Sequence, residues 1–376
     1  MPPKSPTNSS SLDSDDLYHR FARSVLRQNM QLRPGENLTV EAWSHTLPWA
    51  IAIAREARRM KAHPLILYED EESYWDSVDA GEAKILGAAP THEFAALAKT
   101  NVYLHMWGPG DRVRLNALPP KQLGSLFGWN EPWYETARKA GLRGARLEVG
   151  RVYPALAKAY GVDEEEWRRQ TIEGTLVSPD RLARSAAPLA RALARGKRLH
   201  ITHDNGTDLT VALDGKPPRV MTARVSPEER KRAFGSLTFL PAGSIRVALS
   251  PDVADGTIIG NRTCYYDDGV ATVPRFEFAK GRLVHSEFKT GAERFDAPFK
   301  DATKGRDRPG MFVLGLNPKL HDTPQIEDVE AGCVMVSLGG SGFIGGRNKS
   351  NFFGWSIAAG AHVELDGKPL GLPTTD

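Results

Sequence analysis

From Leu17 onward, apolar positions come in short bursts separated by longer amphipathic stretches. Leu17, Phe21, Val25 and Leu26 recur at helical spacing, and Pro34-Gly35 ends that helix in a turn. Asn37 to Val40 reads as a buried strand, followed by a helix whose apolar residues are Trp49, Ile51, Ile53, Ala54 and Ala57. Pro64 to Tyr68, Val102 to Met106 and Ala145 to Val149 read as further strands. Short apolar strands separated by helical segments predict β-α-β units and a mostly parallel sheet covered on both faces. Asp163 to Arg195 is largely helical and carries the chain into its second half, with Pro179 and Pro188 expected to break or kink it. The basic residues Arg184, Arg191, Arg195 and Lys197 read as a solvated face of this segment.

The texture changes at Lys197. Leu199 to His203, Asp208 to Leu213, Gly235 to Phe239 and Ile245 to Leu249 are short, β-rich and punctuated by Gly, Asp and Asn. Cys264 to Asp268 reads as a strand ending in an Asp-Gly turn at Asp268-Gly269. The expected architecture is α/β, with a parallel-sheet α/β domain over 17–196 and a β-rich α+β domain over 197–376. Residues 1–16, Ser/Pro-rich and then acidic, read as a disordered tail without an apolar signal core.

A chain of 376 residues suits two domains, and its 40% hydrophobic and 25% charged content is that of an ordinary globular protein. The 49 basic and 46 acidic side chains leave a net charge of +3, with the arginines spread among acids, so no nucleic-acid surface is expected. No apolar stretch approaches the ~20 residues of a membrane span. The two cysteines, Cys264 and Cys333, exclude a disulfide scaffold and a zinc ribbon, and cytoplasmic residence is the default expectation.

Four segments carry a family resemblance. They are Leu240-Pro241-Ala242-Gly243-Ser244, the run Phe312 to Pro318, the run Val334 to Gly339, and Asn348-Lys349-Ser350 with Phe353 and Trp355. Their order resembles the thermophilic dimetal aminopeptidases of the aminopeptidase-T and aminopeptidase-S type, whose motifs read L-P-x-G-E, E-L-G-x-G-x-N-P, H-x-A-x-G and N-x-S-x-x-H-x-D. Gly206-Thr207-Asp208-Leu209-Thr210 is similar to the opening of that family's second domain. The resemblance is specific in the C-terminal half and architectural in the N-terminal half. It implies the two-domain fold already read from the pattern, and a homodimer formed through the second domain.

The framework residues of those motifs are present and the metal ligands are not. Ser244 and Met311 stand where the resemblance implies glutamates, Met335 and Phe353 where it implies histidines, and Trp355 where it implies an aspartate. The family's tyrosine would fall at Gly342. Two close divalent cations need bridging carboxylates and imidazoles, which Ser, Met, Phe and Trp do not supply. No metal or cofactor is therefore expected. Ser244, Met311, Met335, Gly342, Asn348, Phe353 and Trp355 become candidates for an apolar, aromatic binding cleft, or for a solid core in its place.

Other chemistry is sparse. Among ten histidines, His285 with Glu287 and His321 with Asp322 are the candidates for relocated ligands, while His200 and His203 would face opposite sides of a strand. Gly340, Gly342 and Gly345 form a G-x-G-x-x-G, but a turn follows where a dinucleotide site needs a helix. The same glycines could offer N–H groups to an anion or simply form a loop. Cys333 lies in an apolar run and Cys264 beside acids, so neither reads as a nucleophile. Three functions remain open: an aminopeptidase-like pseudoenzyme that binds or tailors a peptide or small apolar or aromatic ligand, as in peptide natural-product biosynthesis; an active metallo-aminopeptidase with relocated ligands; and a structural or regulatory dimerisation partner.

Overall fold

The computed structural model describes residues 14–376 apart from Ala233, Asp267 and Asp268. The first helix already starts at Ser14, inside the stretch read as a tail, because Asp16 suits its first turn and Leu17 and Phe21 its apolar face. The remainder of that tail, 1–13, and the Asp267–Asp268 part of the expected turn lie outside the described residues. None of the described helices is long and apolar enough to cross a membrane.

Five parallel strands form the first sheet, in the order His63–Glu69, Asn37–Trp43, Val102–Met106, Arg143–Leu147 and Leu237–Leu240. Leu38, Val40, Val102, Leu104, Ala145 and Leu147 are fully buried, as expected for a parallel sheet flanked by helices. The helices start where the chain supplies caps. Asp70 and Asp163 accept from the backbone N–H groups of Ser73 (2.9 Å) and Glu166 (2.7 Å), and Ser178 caps a helix opening with Pro179. That last helix, Pro179–Arg195, runs through Pro188 instead of breaking there, with Leu182, Ala186, Leu189 and Leu193 burying its inner face.

Leu237–Leu240, which a division at Lys197 assigns to the second half, returns to complete the first sheet beside Arg143–Leu147. The chain then turns through Pro241-Ala242-Gly243 into Ser244–Ile259, the 16-residue spine of a second, antiparallel sheet. On one side of this spine lie Pro309–Gly315, Cys333–Gly339 and the edge strand Phe353–Ala359. On the other lie Thr207–Leu213, Arg198–His203 and His362–Leu365. Arg275–Ala279 pairs with the spine's far end.

The framework residues of the four motifs have structural jobs. Buried Asn317 donates to the carbonyl oxygens of Ala242 (2.8 Å) and of Gly174 (3.0 Å), tying the second sheet to a helix of the first half. A Cβ at Gly315 would lie 1.9 Å from the carbonyl oxygen of Glu330, so only glycine allows that approach. One contiguous buried cluster accordingly contains residues of both sheets.

Candidate functional site

Cross-strand register decides which side chains of the second sheet can meet. Trp355 opposes Ser337, Phe353 opposes Gly339, Val313 opposes both Met335 and Arg246, and Gly315 opposes Ser244. Side chains alternate along each strand, so Ser244, Met311, Met335, Phe353 and Trp355 all fall on one face. Their fates on that face differ. Ser244, Met311 and Met335 lie on interior strands and are covered, whereas Phe353 is 37% exposed and Trp355 half-buried on the edge strand. Asn348 braces loops, donating to the carbonyl oxygen of Gly305 (2.9 Å) and accepting from the Ser350 N–H. Gly342 lies beside Phe343 in a neighbouring depression.

Phe353 and Trp355 open onto a cleft of about 850 Å³ between the two halves. Its opposite wall comes from the carboxyl end of the first sheet: Trp107, Arg146, Arg151 and Phe239. The hairpin residue Tyr265 and Arg294, of the helix Glu293–Asp301, complete it. Glu148 accepts from the Trp107 indole N–H (3.0 Å), and the Arg151 guanidinium lies 3.8 Å from the centre of the Trp107 ring. Arg146 donates to the Tyr134 hydroxyl (2.7 Å) and lies 5.5 Å from the Phe239 ring centre. Neither Arg146 nor Arg294 forms an ion pair with a described residue, while Asp301 is the one carboxylate among the described lining residues. The cleft is thus aromatic and cationic.

Behind Trp355 lies Glu327, which sequence reasoning did not single out. It is 4% exposed and accepts long hydrogen bonds, each 3.4 Å, from the Trp355 indole N–H and the Tyr265 backbone N–H. Burial pushes its carboxyl up to about 8, and the charge of neighbouring Asp328 adds to the effect. Folded Glu327 therefore keeps a proton that unfolded chain has lost above its ordinary value of 4.5. The stability attached to that proton is complete below 4.5 and falls as pH rises through about 8. Glu327→Gln, which stays neutral, is expected to gain in melting temperature over the wild type as pH climbs through this window. Parallel melting curves that keep a constant offset across the window would remove the protonated carboxyl from the account.

The thiols are no nucleophiles. Cys264 and Cys333 are free and buried, and burial raises both well above an ordinary thiol, with Glu327 and Glu330 respectively adding to the shift. His285 and Glu287 form an exposed pair at 3.8 Å, and His321 joins Glu330 (3.3 Å), which Arg262 also holds. Among the described residues, no three His, Cys, Asp or Glu side chains are grouped to hold a metal ion. The donor set at the five matched positions does not fit a hard cation either: one hydroxyl, two thioethers and two aromatic rings.

No family model matches the chain, and no curated protein matches it in sequence. Solved structures share the fold, and two of them are informative. Wild-type AmpT, the aminopeptidase T of Thermus thermophilus, superposes with a TM-score of 0.71 at 19% identity, covering 96% of this chain and 98% of that one. The 2,5-dihydroxypyridine dioxygenase of Pseudomonas putida KT2440 gives 0.59 at 16% identity, covering 96% and 97%. The fold is therefore aminopeptidase-T-like, and these two proteins of the same fold carry names for two different activities.

Proposed function

We propose that this protein is a diverged, aminopeptidase-like binding protein that takes a peptide or small aromatic ligand bearing a carboxylate, without dimetal hydrolysis. One observation carries the reading: aromatic rings and the guanidinium groups of Arg146 and Arg294 line the same cleft from both halves. Phe353 and Trp355, at positions where the resemblance implies metal ligands, offer a ring surface there. Arginine matches a carboxylate with a planar fork of donors and stacks on aromatic faces, so an aryl carboxylate meets both kinds of wall. Peptide tailoring is compatible with this reading, with the buried acid Glu327 lying behind the Trp355 wall of the cleft.

N-acetylphenylalanine tests it, with its neutral amide as control. Saturable binding of the acid to the full chain is expected, about tenfold or more tighter than the amide. Arg294→Gln alters an exposed helix position and should weaken binding of the acid about tenfold while leaving the fold intact. Equal affinity for acid and amide, or indifference to Arg294→Gln, would defeat the proposal.

A further inference from the structure

Beyond the cleft, a second cavity opens under the carboxyl end of the first sheet, where open α/β sheets hold their ligands. Its outer lobe, about 270 Å³, shares Trp107, Arg112 and Arg146 with the cleft; its inner lobe holds about 150 Å³. The strands supply a polar row, since Glu41 opposes His105, His105 opposes Arg146, and Arg146 opposes Phe239. Six rings enclose the inner lobe: Trp43, Tyr74, Phe94, Tyr103, Trp129 and Trp133. Three carboxylates, Glu41, Glu69 and Glu93, also line it, and no Lys, Arg or His does among the described residues.

The carboxylates are not consumed by the fold. Tyr103 O–H and His105 Nδ1 both reach the Oε2 atom of Glu41, whose side chain lines the cavity. Glu69 and Glu93 form no ion pair with a described residue. Burial opposes the charge on all three. His105 nonetheless holds Glu41 below the usual range, whereas the neighbouring acids push Glu69 and Glu93 further up. A cation between them would relieve that repulsion.

We propose that the inner lobe binds an organic ammonium ion with an apolar body, the chemistry of an arylalkyl amine. The ammonium sits against Glu41, Glu69 and Glu93, and the rings stack on the body and face the charge. This site is built from the first sheet and its helices, so it stands or falls separately from the reading of the cleft.

Phenylalaninol, a primary amine charged at neutral pH, is the probe, and 3-phenylpropane-1,2-diol replaces its ammonium by a hydroxyl. Calorimetry on the full chain should show saturable binding of phenylalaninol, about tenfold or more tighter than the diol. Glu93→Gln removes a charge that no described partner uses, and should cost about tenfold in phenylalaninol affinity with an unchanged circular dichroism spectrum. No binding to the wild type, equal binding of amine and diol, or full affinity in Glu93→Gln would each overturn the proposal. N-acetylphenylalanine binding in Glu93→Gln should match the wild type, which keeps the two sites distinguishable.

Discussion

Phe295→Ala is expected to cost about 3–5 kcal/mol of folding stability, the range for deleting a fully buried aromatic ring. Phe295 is 1% exposed and sits at the centre of an aromatic cluster. Its ring centre lies 5.1 Å from those of Phe288 and Phe352, 5.2 Å from Phe276 and 5.3 Å from Phe299. A Cβ at Gly354 would stand 2.6 Å from the ring, so the edge strand closes directly on it. The cavity left by alanine is bounded by other rings, which are too large to rotate into it without clashing. The short helix Glu293–Asp301 has Phe295 as its buried residue and would lose its anchor. Urea unfolding followed by fluorescence and circular dichroism measures the cost. A loss below about 1 kcal/mol would show that the cluster repacks, contrary to this account.

Trp355→Ala is expected to act on binding before stability. An aromatic anchor in a cleft contributes about 2 kcal/mol or more to affinity, roughly 30-fold. Trp355 fits that role: half-buried, edge-on to Tyr266 with ring centres 4.4 Å apart, and next to Phe353 at 5.3 Å. Its backbone is held independently, since its N–H donates to the Tyr266 hydroxyl (3.2 Å) and its carbonyl oxygen accepts from the same group. Losing the side chain therefore leaves the edge strand paired, and the stability cost should stay below that of Phe295→Ala. Titration with N-acetylphenylalanine and a melting curve on the same sample separate the two effects. Unchanged affinity with a large fall in melting temperature would make Trp355 a core residue instead of a wall of the cleft.

How far the strands were legible depends on what fixes their ends. Val102–Met106 matches its expected run residue for residue, because that strand is buried at every position but His105. The next strand begins two residues before its apolar run, at Arg143, whose guanidinium is held by Glu36 (2.7 Å) and by main-chain oxygens. Ser244–Ile259 extends well beyond Ile245 to Leu249 because its polar continuation pairs with Thr207–Leu213 and Arg275–Ala279. Ladder hydrogen bonds do not require apolar side chains, so hydropathy misses such extensions.

The candidate site divides in the same way. The family resemblance grouped Ser244, Met311, Met335, Phe353 and Trp355 in one cleft, but cross-strand register put them on one face and burial decided which of them a ligand could reach. Arg146, His105 and Glu41 carried a signal that went unused: lone charged or polar groups inside apolar strand runs, which a buried sheet does not accept without a purpose. Glu327 and Arg294 carried none, lying in segments of ordinary polar composition.

By itself, the sequence determined the local periods, the division into helix-separated strands followed by a β-rich half, and the set of side chains on each strand face. Those follow from backbone geometry and near-neighbour spacing. The tertiary structure decided that Leu237–Leu240 completes the first sheet and that the edge strand faces Arg146 and Trp107 across a cleft. It also decided that three carboxylates meet among six rings beneath the first sheet. These groups come from distant parts of the chain, and their burial and charge state depend on what packs against them, which no local pattern records.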